Sequence, residues 1–531
     1  MTSQNLPTGI QSFVDLRQTD CYYVDKTSHI QQLVSRGRHY FLSRPRRFGK
    51  SLLVDTLKEL FEGNESLFQG LHIHDYWDWS VRHPIVRLSF DGKYGSPKDI
   101  ERSALKQLKI IGESADLAVT PGDTAQDYLL ELLIHLHHTT GQQVVVLVDE
   151  YDKPILDVID NEAMAIANRD HLGGIYGIIK GSAEHVRFVF VTGVSMLSKV
   201  SLFSYLNNLT DISLRARYAT ICGYTNQDLE SVFAPELEGL DRNEIRHWYN
   251  GYNWLGEEKV YNPWDILNLF DNRKFEAYWF ESGVPSFLYK VMMQRRFSPV
   301  QLTNLVVDKE FITAFDVKHI GFESLMFQTG YLTIIKEEAT ADGTEYTLDF
   351  PNHEVQKNFR KGLLGHLTKG DNKIRRFGDN LIGLLLANDF EGFTANLRSF
   401  LAGLPYQWQG EHSPARYEAW YAAMLYVALD APDVDIRLEE STSQGRSDMV
   451  LLHDGQVFVF EFKMVEIPAG TQPEAMENIG KTAAVTAIKQ IQDRGYVDKY
   501  RQLQEPMTLI GLVFERSGQG DKPLALKAVP A

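Results

Sequence analysis

Short, nearly continuous apolar runs mark the N-terminal part of the chain. Positions 39–57 read as a short apolar strand, a turn and an amphipathic helix. Further apolar strands are predicted at 84–90, at 143–150 (QVVVLVDE) and at 187–192 (RFVFVT). Runs of this kind suit strands buried on both faces. From about 216 the pattern is mostly helical, with a strand pair near 330–350. The stretch 403–414, GLPYQWQGEHSP, is the most loop-like in the chain. Beyond it the rhythm changes. A helix is expected over 416–429, where Tyr417, Trp420, Tyr421, Met424, Leu425 and Ala428 fall at helical spacing. Strands follow at 435–440, 448–453 and 456–463, then a long helix over 474–493 and a last strand at 507–514. The pattern predicts an α/β chain of three regions: a core over 1–215, a mostly helical lid or connector over 216–402, and a second α/β domain over 403–531.

Two of the C-terminal strands form a hairpin at Asp454-Gly455, a dipeptide suited to a type I′ turn. With a two-residue loop, His453 faces Gln456 and Asp448 faces Glu461. Opposed side chains lie roughly 5 Å apart at Cβ, where two carboxylates repel. Val457, Val459, Glu461 and Lys463 share one face of the second strand; Phe458, Phe460 and Phe462 share the other. An Asp, a Glu and a Lys thus converge beside apolar residues, and a divalent cation held by both carboxylates would account for it. The alternative is an exposed hairpin whose acids are solvated or paired with Lys463 and Arg446.

The pattern resembles the PD-(D/E)XK nuclease superfamily, with Asp448 as the isolated Asp and Glu461-Phe462-Lys463 as E-x-K. The α-β-β-β-α-β order of elements fits the core of that superfamily. Glu418 stands where many such nucleases carry an extra acid, and AIKQIQDRGYVDKY at 487–500 resembles the helix of one subgroup, with Gln490, Tyr496 and Tyr500 as polar members. Tyrosines there are equally packing residues. The resemblance implies phosphodiester hydrolysis with Mg²⁺, whose hard-acid character suits carboxylates. Asp448 and Glu461 are the expected ligands, with the Phe462 carbonyl a third. Lys463 would orient the attacking water or stabilise the transition state. Glu439 and Glu440 are weaker candidates, since only one can point inward from a strand.

The N-terminal turn ends in Phe48-Gly49-Lys50-Ser51, the closing G-K-[ST] of a phosphate-binding loop. In such a loop, backbone N–H groups and the helix N-terminus cradle phosphates. Lys50 would reach the β/γ-phosphates and Ser51 would coordinate Mg²⁺. The general motif opens with Gly, whereas this chain has Arg44 and then Pro45. Strand 143–150 ends in Asp149 and Glu150, as a Walker B element does, with Asp149 on Mg²⁺ and Glu150 polarising the attacking water. Thr192, or Ser195 beyond it, would sense the γ-phosphate. A strand lying between the two motifs in sequence, and a Glu after the Asp, point to the additional-strand, catalytic-Glu branch of P-loop NTPases, a three-layer core.

The runs YYVDKTSHIQQLV, FLSRPRRFGKSLLVDTLKELF, VLVDEYDKPI and TGVSMLSKVSLFSYLNNLTDIS, with WYNGYNW, VYNPWDIL and YWFESGVPSFL later, closely resemble the AAA-ATPase-like family. Members commonly end in the PD-(D/E)XK subgroup, so the resemblance spans most of the chain. RPRRFGKS is that family's own form of the loop, which implies ATP as cofactor. Arg46 and Arg47 would grip phosphate or pack on neighbouring acids. Asp25 and Lys26 are shared positions with no role legible in the sequence.

Bulk properties narrow the setting. Hydrophobic content of 44% and charged content of 23% are ordinary globular values. No stretch reaches the ~18 apolar residues of a membrane helix, and MTSQNLPTGIQSF lacks the regions of a signal peptide. Cys21 and Cys222 form no disulfide framework and suit a reducing cytoplasm. A net charge of −16 argues against indiscriminate nucleic-acid binding through one large basic face. Basic clusters at 357–361 (KNFRK) and 373–376 (KIRR) are read as solvated helix faces or as a local groove. His135, His137 and His138 share a helix without zinc spacing. Arg215 and Arg217 are arginine fingers of an oligomer or helix-surface residues. The expectation is an ATP-binding, ATP-hydrolysing protein with an Mg²⁺-dependent nuclease domain acting on nucleic acid, DNA ahead of RNA, in defence or mobile-element control. The alternative is a nucleotide switch whose C-terminal domain binds nucleic acid or protein without cutting.

Overall fold

The structure, a computed structural model, describes residues 4–117, 124–196, 208–279, 288–289, 292, 302, 304–313, 321–341, 343–367, 380–402, 418–429, 434–442, 445–468, 470–516 and 522–530. The loop 403–417 and the KIRR cluster lie outside them. Contacts divide the chain into two compact units, Met1–Gly283 with Asn304–Val355, and Val284–Thr303 with Gln356–Ala531. The 216–402 region is shared between the two.

The first unit is organised by strands β1 (His39–Ser43), β2 (Ile85–Ser89), β3 (Val144–Asp149), β4 (Val186–Gly193) and β5 (Thr210–Asp211). All pair in parallel, in the order β2-β3-β4-β1-β5. Every residue of β3 is buried, which is why its sequence shows no alternation. The strand inserted between the Walker strands in space is β4, although it comes after both in sequence; β2, which lies between them in sequence, is at the sheet edge. A chain that places β4 between β1 and β3 separates the ends of those strands. The space so opened is where ligands lie in open α/β sheets. Helix Lys50–Phe61 packs on β3 and β4.

A second core joins the lead segment to the region after 216: Tyr22 and Val24 pack with Phe233, Tyr249, Tyr261 and Phe270. Two small sheets complete this unit. One pairs β6 (Asn250–Tyr252) with β7 (Val260–Tyr261); the other has the order β8-β10-β9, from β8 (Leu305–Asp308), β9 (Thr333–Thr340) and β10 (Gly343–Asp349).

In the second unit, β11 (Asp435–Thr442), β12 (Gly445–His453), β13 (Gln456–Glu466), β14 (Met507–Arg516) and β15 (Lys522–Pro530) form one sheet in sequence order. The β13–β14 pair is parallel and the others antiparallel. Helices Glu418–Ala428 and Pro473–Asp493 complete the α-β-β-β-α-β core. The edge strand β15 was not legible in the pattern. Asp454 and Gly455 both have positive φ, 50° and 68°, as a type I′ turn requires. His453 pairs with Gln456 and Met449 with Phe460, so the register follows the alternation. Within the KNFRK cluster Phe359 and Arg360 are fully buried, with the Arg360 guanidinium 5.1 Å from the Tyr426 ring, while Lys357 is half-buried and Lys361 exposed.

Gly251 in β6 has φ of 143°, and a Cβ there would stand 1.7 Å from the Pro351 carbonyl oxygen. Gly251→Ala is therefore expected to cost at least about 2–3 kcal/mol and to lower the thermal midpoint of the first unit by several degrees, read by scanning calorimetry.

Candidate functional site

Strand β1 runs into the loop Arg44–Gly49 and then into helix Lys50–Phe61. Residues Arg44 to Phe48 of that loop are held by neighbours from outside it. The Arg44 guanidinium is completely buried, where it donates to the carbonyls of Ser43 (2.8 Å), Ser213 (2.9 Å) and Tyr218 (3.0 Å) and lies 4.1 Å from the Trp254 ring. Burial pulls its pKa down to about 10. It is a fastener, and it occupies the position where the general motif has glycine. Pro45 is packed so close to Gly330 that a Cβ on the glycine would come within 2.6 Å. The Arg46 carbonyl accepts from Trp279 Nε1 (3.3 Å), and the Arg47 guanidinium lies 4.2 Å from the Trp264 ring. Phe48 meets Tyr252 and Trp254 edge-on.

Arg47 and Gly49 have φ of 69° and 86°. The left-handed turn delivers the helix with its first N–H groups facing the cavity. Lys50 is 6% exposed, and its Nζ donates to the carbonyls of Arg44 and Pro45, both at 2.9 Å. Burial lowers its pKa, against the opposing pull of Asp149, Glu150 and Asp152. A phosphate binding here takes the lysine from two neutral carbonyls to an anion, a stronger acceptor for a buried ammonium.

At the end of β3, Asp149 is buried and accepts from the Glu150 N–H (3.0 Å). Glu150 is a non-glycine residue with φ of 52°, half-buried, and burial is the chief cause that raises its pKa. Thr192 is fully buried and donates to the Leu42 carbonyl (2.8 Å). Ser195 donates through Oγ to Asp152 at 2.5 Å. Both sensor candidates thus spend their hydroxyls inside the fold, and neither lines the cavity. Asp152, missed in the sequence, also accepts from the N–H groups of Val194 and Ser195, which ties the end of β3 to the end of β4.

The phosphate loop opens on a cavity of about 460 Å³. Arg46, Arg47, Lys50, Ser51 and Glu150 line one side. The lead segment (Gly9, Ile10, Tyr22 to Val24) and Ile221, Tyr224, Trp264 and Leu267 line the rest. The shared positions Asp25 and Lys26 have structural work. Asp25 caps Thr27 and accepts from the His72 N–H, while Lys26 pairs with Asp228 at 2.7 Å.

In the second unit, the backbone pairing of the hairpin runs to Met449–Phe460. One residue further, the Asp448 carboxylate accepts from the Phe462 N–H (2.7 Å). Glu461 is 2% exposed and bonds Lys463 Nζ at 3.0 Å. On its other side Glu461 registers with Gly511 of β14, where a Cβ would stand 2.5 Å from the Ala484 carbonyl. The small face of helix Pro473–Asp493 therefore rests on the sheet beside Glu461. Asp448, Glu461 and Lys463 are brought together. Gln490 is half-buried on that helix; Tyr496 and Tyr500 are buried in the cluster formed with Val457, Val459 and Ile491, as packing residues are. The side chains of Glu418, Glu439 and Glu440 lie outside the described residues. Among the described residues, no three His, Cys, Asp or Glu side chains are grouped to hold a metal. Two carboxylates and a carbonyl form an all-oxygen set that fits Mg²⁺, which keeps several waters.

A five-stranded parallel sheet with a G-K-S loop and a D-E strand end, followed by a sheet carrying D…E-x-K, defines a P-loop ATPase joined to a nuclease-superfamily domain. The family described as "Predicted AAA-ATPase" matches residues 7–203, and the PD-(D/E)XK nuclease superfamily matches residues 416–519. A protein of Azotobacter chroococcum mcd 1, described as an uncharacterized protein in the vnfD 5′ region, is 46% identical over 521 residues, 98% of each chain. The chain belongs to the AAA-ATPase-like family and carries a PD-(D/E)XK nuclease-superfamily domain in its C-terminal part. Among solved structures, the Aeropyrum pernix Orc1 protein in complex with DNA aligns with 64% of this chain and 93% of its own, at 11% identity and a TM-score of 0.25. That likeness is too slight to carry any statement about this chain. No helix among the described residues is long and apolar enough to cross a membrane.

Arg44→Met should lower the thermal midpoint of the first unit by the equivalent of about 3 kcal/mol, since three charge-assisted bonds are lost and buried carbonyls are left bare. Arg46→Ala, at an exposed side chain whose bonded atom is the backbone carbonyl, should stay within about 0.5 kcal/mol of wild type. Thermal melts of both variants check this.

Proposed function

We propose that the first unit binds and hydrolyses ATP, and that the second cleaves nucleic-acid phosphodiesters under control of the nucleotide state. The observation that carries the nuclease reading is the meeting of Asp448, Glu461 and Lys463 at the open end of the β12–β13 hairpin. A module that only bound nucleic acid would have no use for two carboxylates there, since they repel its phosphates.

In the ATPase, Lys50 would exchange its carbonyl partners for β/γ-phosphate oxygens while Arg46 and Arg47 face the same cavity. Ser51 and Asp149 would hold the nucleotide's magnesium ion, which neutralises phosphate charge. Burial raises the pKa of Glu150, which makes it a stronger base toward water than an exposed carboxylate. The lead segment and the Ile221–Tyr224 stretch offer aromatic and aliphatic walls for the base. In the nuclease, Asp448 and Glu461 would hold Mg²⁺, with the Phe462 carbonyl as a third oxygen. The ion supplies charge neutralisation for the phosphoryl oxygens. Lys463 orients the attacking water through its ammonium, and Gln490 and Glu418 would complete the site from the two flanking helices. The substrate would be DNA ahead of RNA, in defence or mobile-element control. Arg215 and Arg217 are the residues that would act across a subunit interface.

The test is cleavage of a mixed DNA and RNA panel with Mg²⁺ or Mn²⁺, with and without ATP. Asp448→Ala should cut slower by more than the roughly 100-fold that changes behind a metal ligand cost. Lys50→Ala should lose the dependence on ATP. Absence of cutting by wild type under any metal, with ATP still bound, would replace the nuclease by a nucleotide switch. Glu150→Gln should bind ATP normally and release phosphate slower by about 10²–10⁴-fold, measured by a coupled phosphate assay.

A further inference from the structure

Beneath the phosphate loop lie two carboxylic acids that no step above uses. Asp265 sits in the first turn of helix Pro263–Asn272, and Glu354 follows Asn352 and His353 near the end of the first unit. Their exposures are 1% and 0%. They are hydrogen-bonded to each other, and Glu354 Oε1 also accepts from the Trp279 N–H at 2.7 Å. Two carboxyl groups bond one another only with a proton between them.

Each acid is one short link from the loop. Trp264 immediately precedes Asp265; its ring carries the Arg47 guanidinium, and its Nε1 donates to the Tyr278 carbonyl (3.2 Å). Trp279, whose backbone Glu354 holds, donates through Nε1 to the Arg46 carbonyl. The acid pair is thus the joint from which two tryptophans reach consecutive arginines of the loop. We propose that Asp265 and Glu354 are positioning residues: a protonated joint that holds Trp264 and Trp279 on Arg47 and Arg46, so that nucleotide affinity requires the joint to keep its proton. The affinity arm of this inference rests on the nucleotide-binding reading above.

The surroundings agree. The titratable neighbours are tyrosines: burial and then the two acids push up the pKa values of Tyr249 and Tyr252, with Tyr278 acting beside them on Tyr249 and Tyr331 on Tyr252. His353, next to Glu354, stacks on His247. Burial raises the pKa of both acids, Asp265 to about 7 and Glu354 well above the usual carboxylate range, where the neighbouring Asp265 adds to the effect. Acids raised in the folded state stabilise it fully at low pH and lose that contribution as pH climbs through the raised values. The pair takes on its first charge at Asp265 from about pH 7 upward, and the joint loosens as Glu354 gives up the remaining shared proton above that.

The experiment measures affinity of the full chain for a fluorescent ATP analogue from pH 6 to 10, in wild type and in Asp265→Asn/Glu354→Gln, whose amides keep the bond without ionising. Wild type should weaken at least about 5-fold more than the double variant across that range. Tryptophan fluorescence and thermal midpoint of the nucleotide-free proteins form the second arm: both should move with pH in wild type and stay flat in the variant. Parallel pH profiles for the two proteins in both arms would overturn the proposal. If wild type binds no nucleotide at any pH, the binding reading falls, and the nucleotide-free arm alone decides the joint. If the double variant does not fold, Glu354→Gln alone takes its place, and its pH response must be weaker than that of wild type.

Discussion

A guanidinium withdrawn from water must find acceptors, and much of the first unit is arranged around that demand by Arg44. Its donors reach three carbonyls from separate stretches, at Ser43, Ser213 and Tyr218, and its flat face lies on Trp254. The bonds fasten the end of β1 to the chain after β5, and the ring contact ties it to the region beyond β6. Delocalised charge and a planar fork make arginine suited to such a post; a lysine could not serve three carbonyls and a ring together. Once Arg44 is set, the next four residues have little freedom, and Pro45, Arg46, Arg47 and Phe48 each meet a glycine or aromatic partner. The loop is therefore shaped by packing from outside, where the general motif relies on a glycine's freedom.

The second unit depends on a different constraint. A carboxylate as buried as Glu461 needs a donor or a cation, and Lys463, two residues on along the same face, provides one. Asp448 takes its N–H from Phe462 one residue beyond the Met449–Phe460 pair. The opening at the strand ends and the close approach of Ala484 to Gly511 bring helix and acids to one corner of the sheet.

What was legible in the sequence follows from how local each signal is. The hairpin register was, because period-2 alternation and an Asp-Gly turn leave one solution. The fold class was, through strands too apolar to be anything but buried and through two motifs with fixed spacing. The roles of Arg44 and Asp152 were not: both are satisfied by backbone groups distant in sequence, which no local pattern announces. Thr192 and Ser195 look alike to a reader of residue types, and only the fold reveals that Leu42 and Asp152 take their hydroxyls. The position of β4 between β1 and β3 is a matter of crossover connections, invisible to periodicity. The pairing of Asp265 with Glu354 joins residues far apart in the chain, which no local pattern announces.

Strand β13 is bound on both edges, antiparallel to β12 and parallel to β14. Glu461 and Lys463 alternate with three phenylalanines along it, so a slip by a single residue would drive the charged pair into the aromatic layer and turn the rings toward the acids. Point changes at its outer positions disturb one side chain each, whereas the loss or gain of one residue between Gly455 and Glu461 inverts every later one. Such a strand tolerates a change of side chain far better than a change of length, which the loops outside the ladder can absorb.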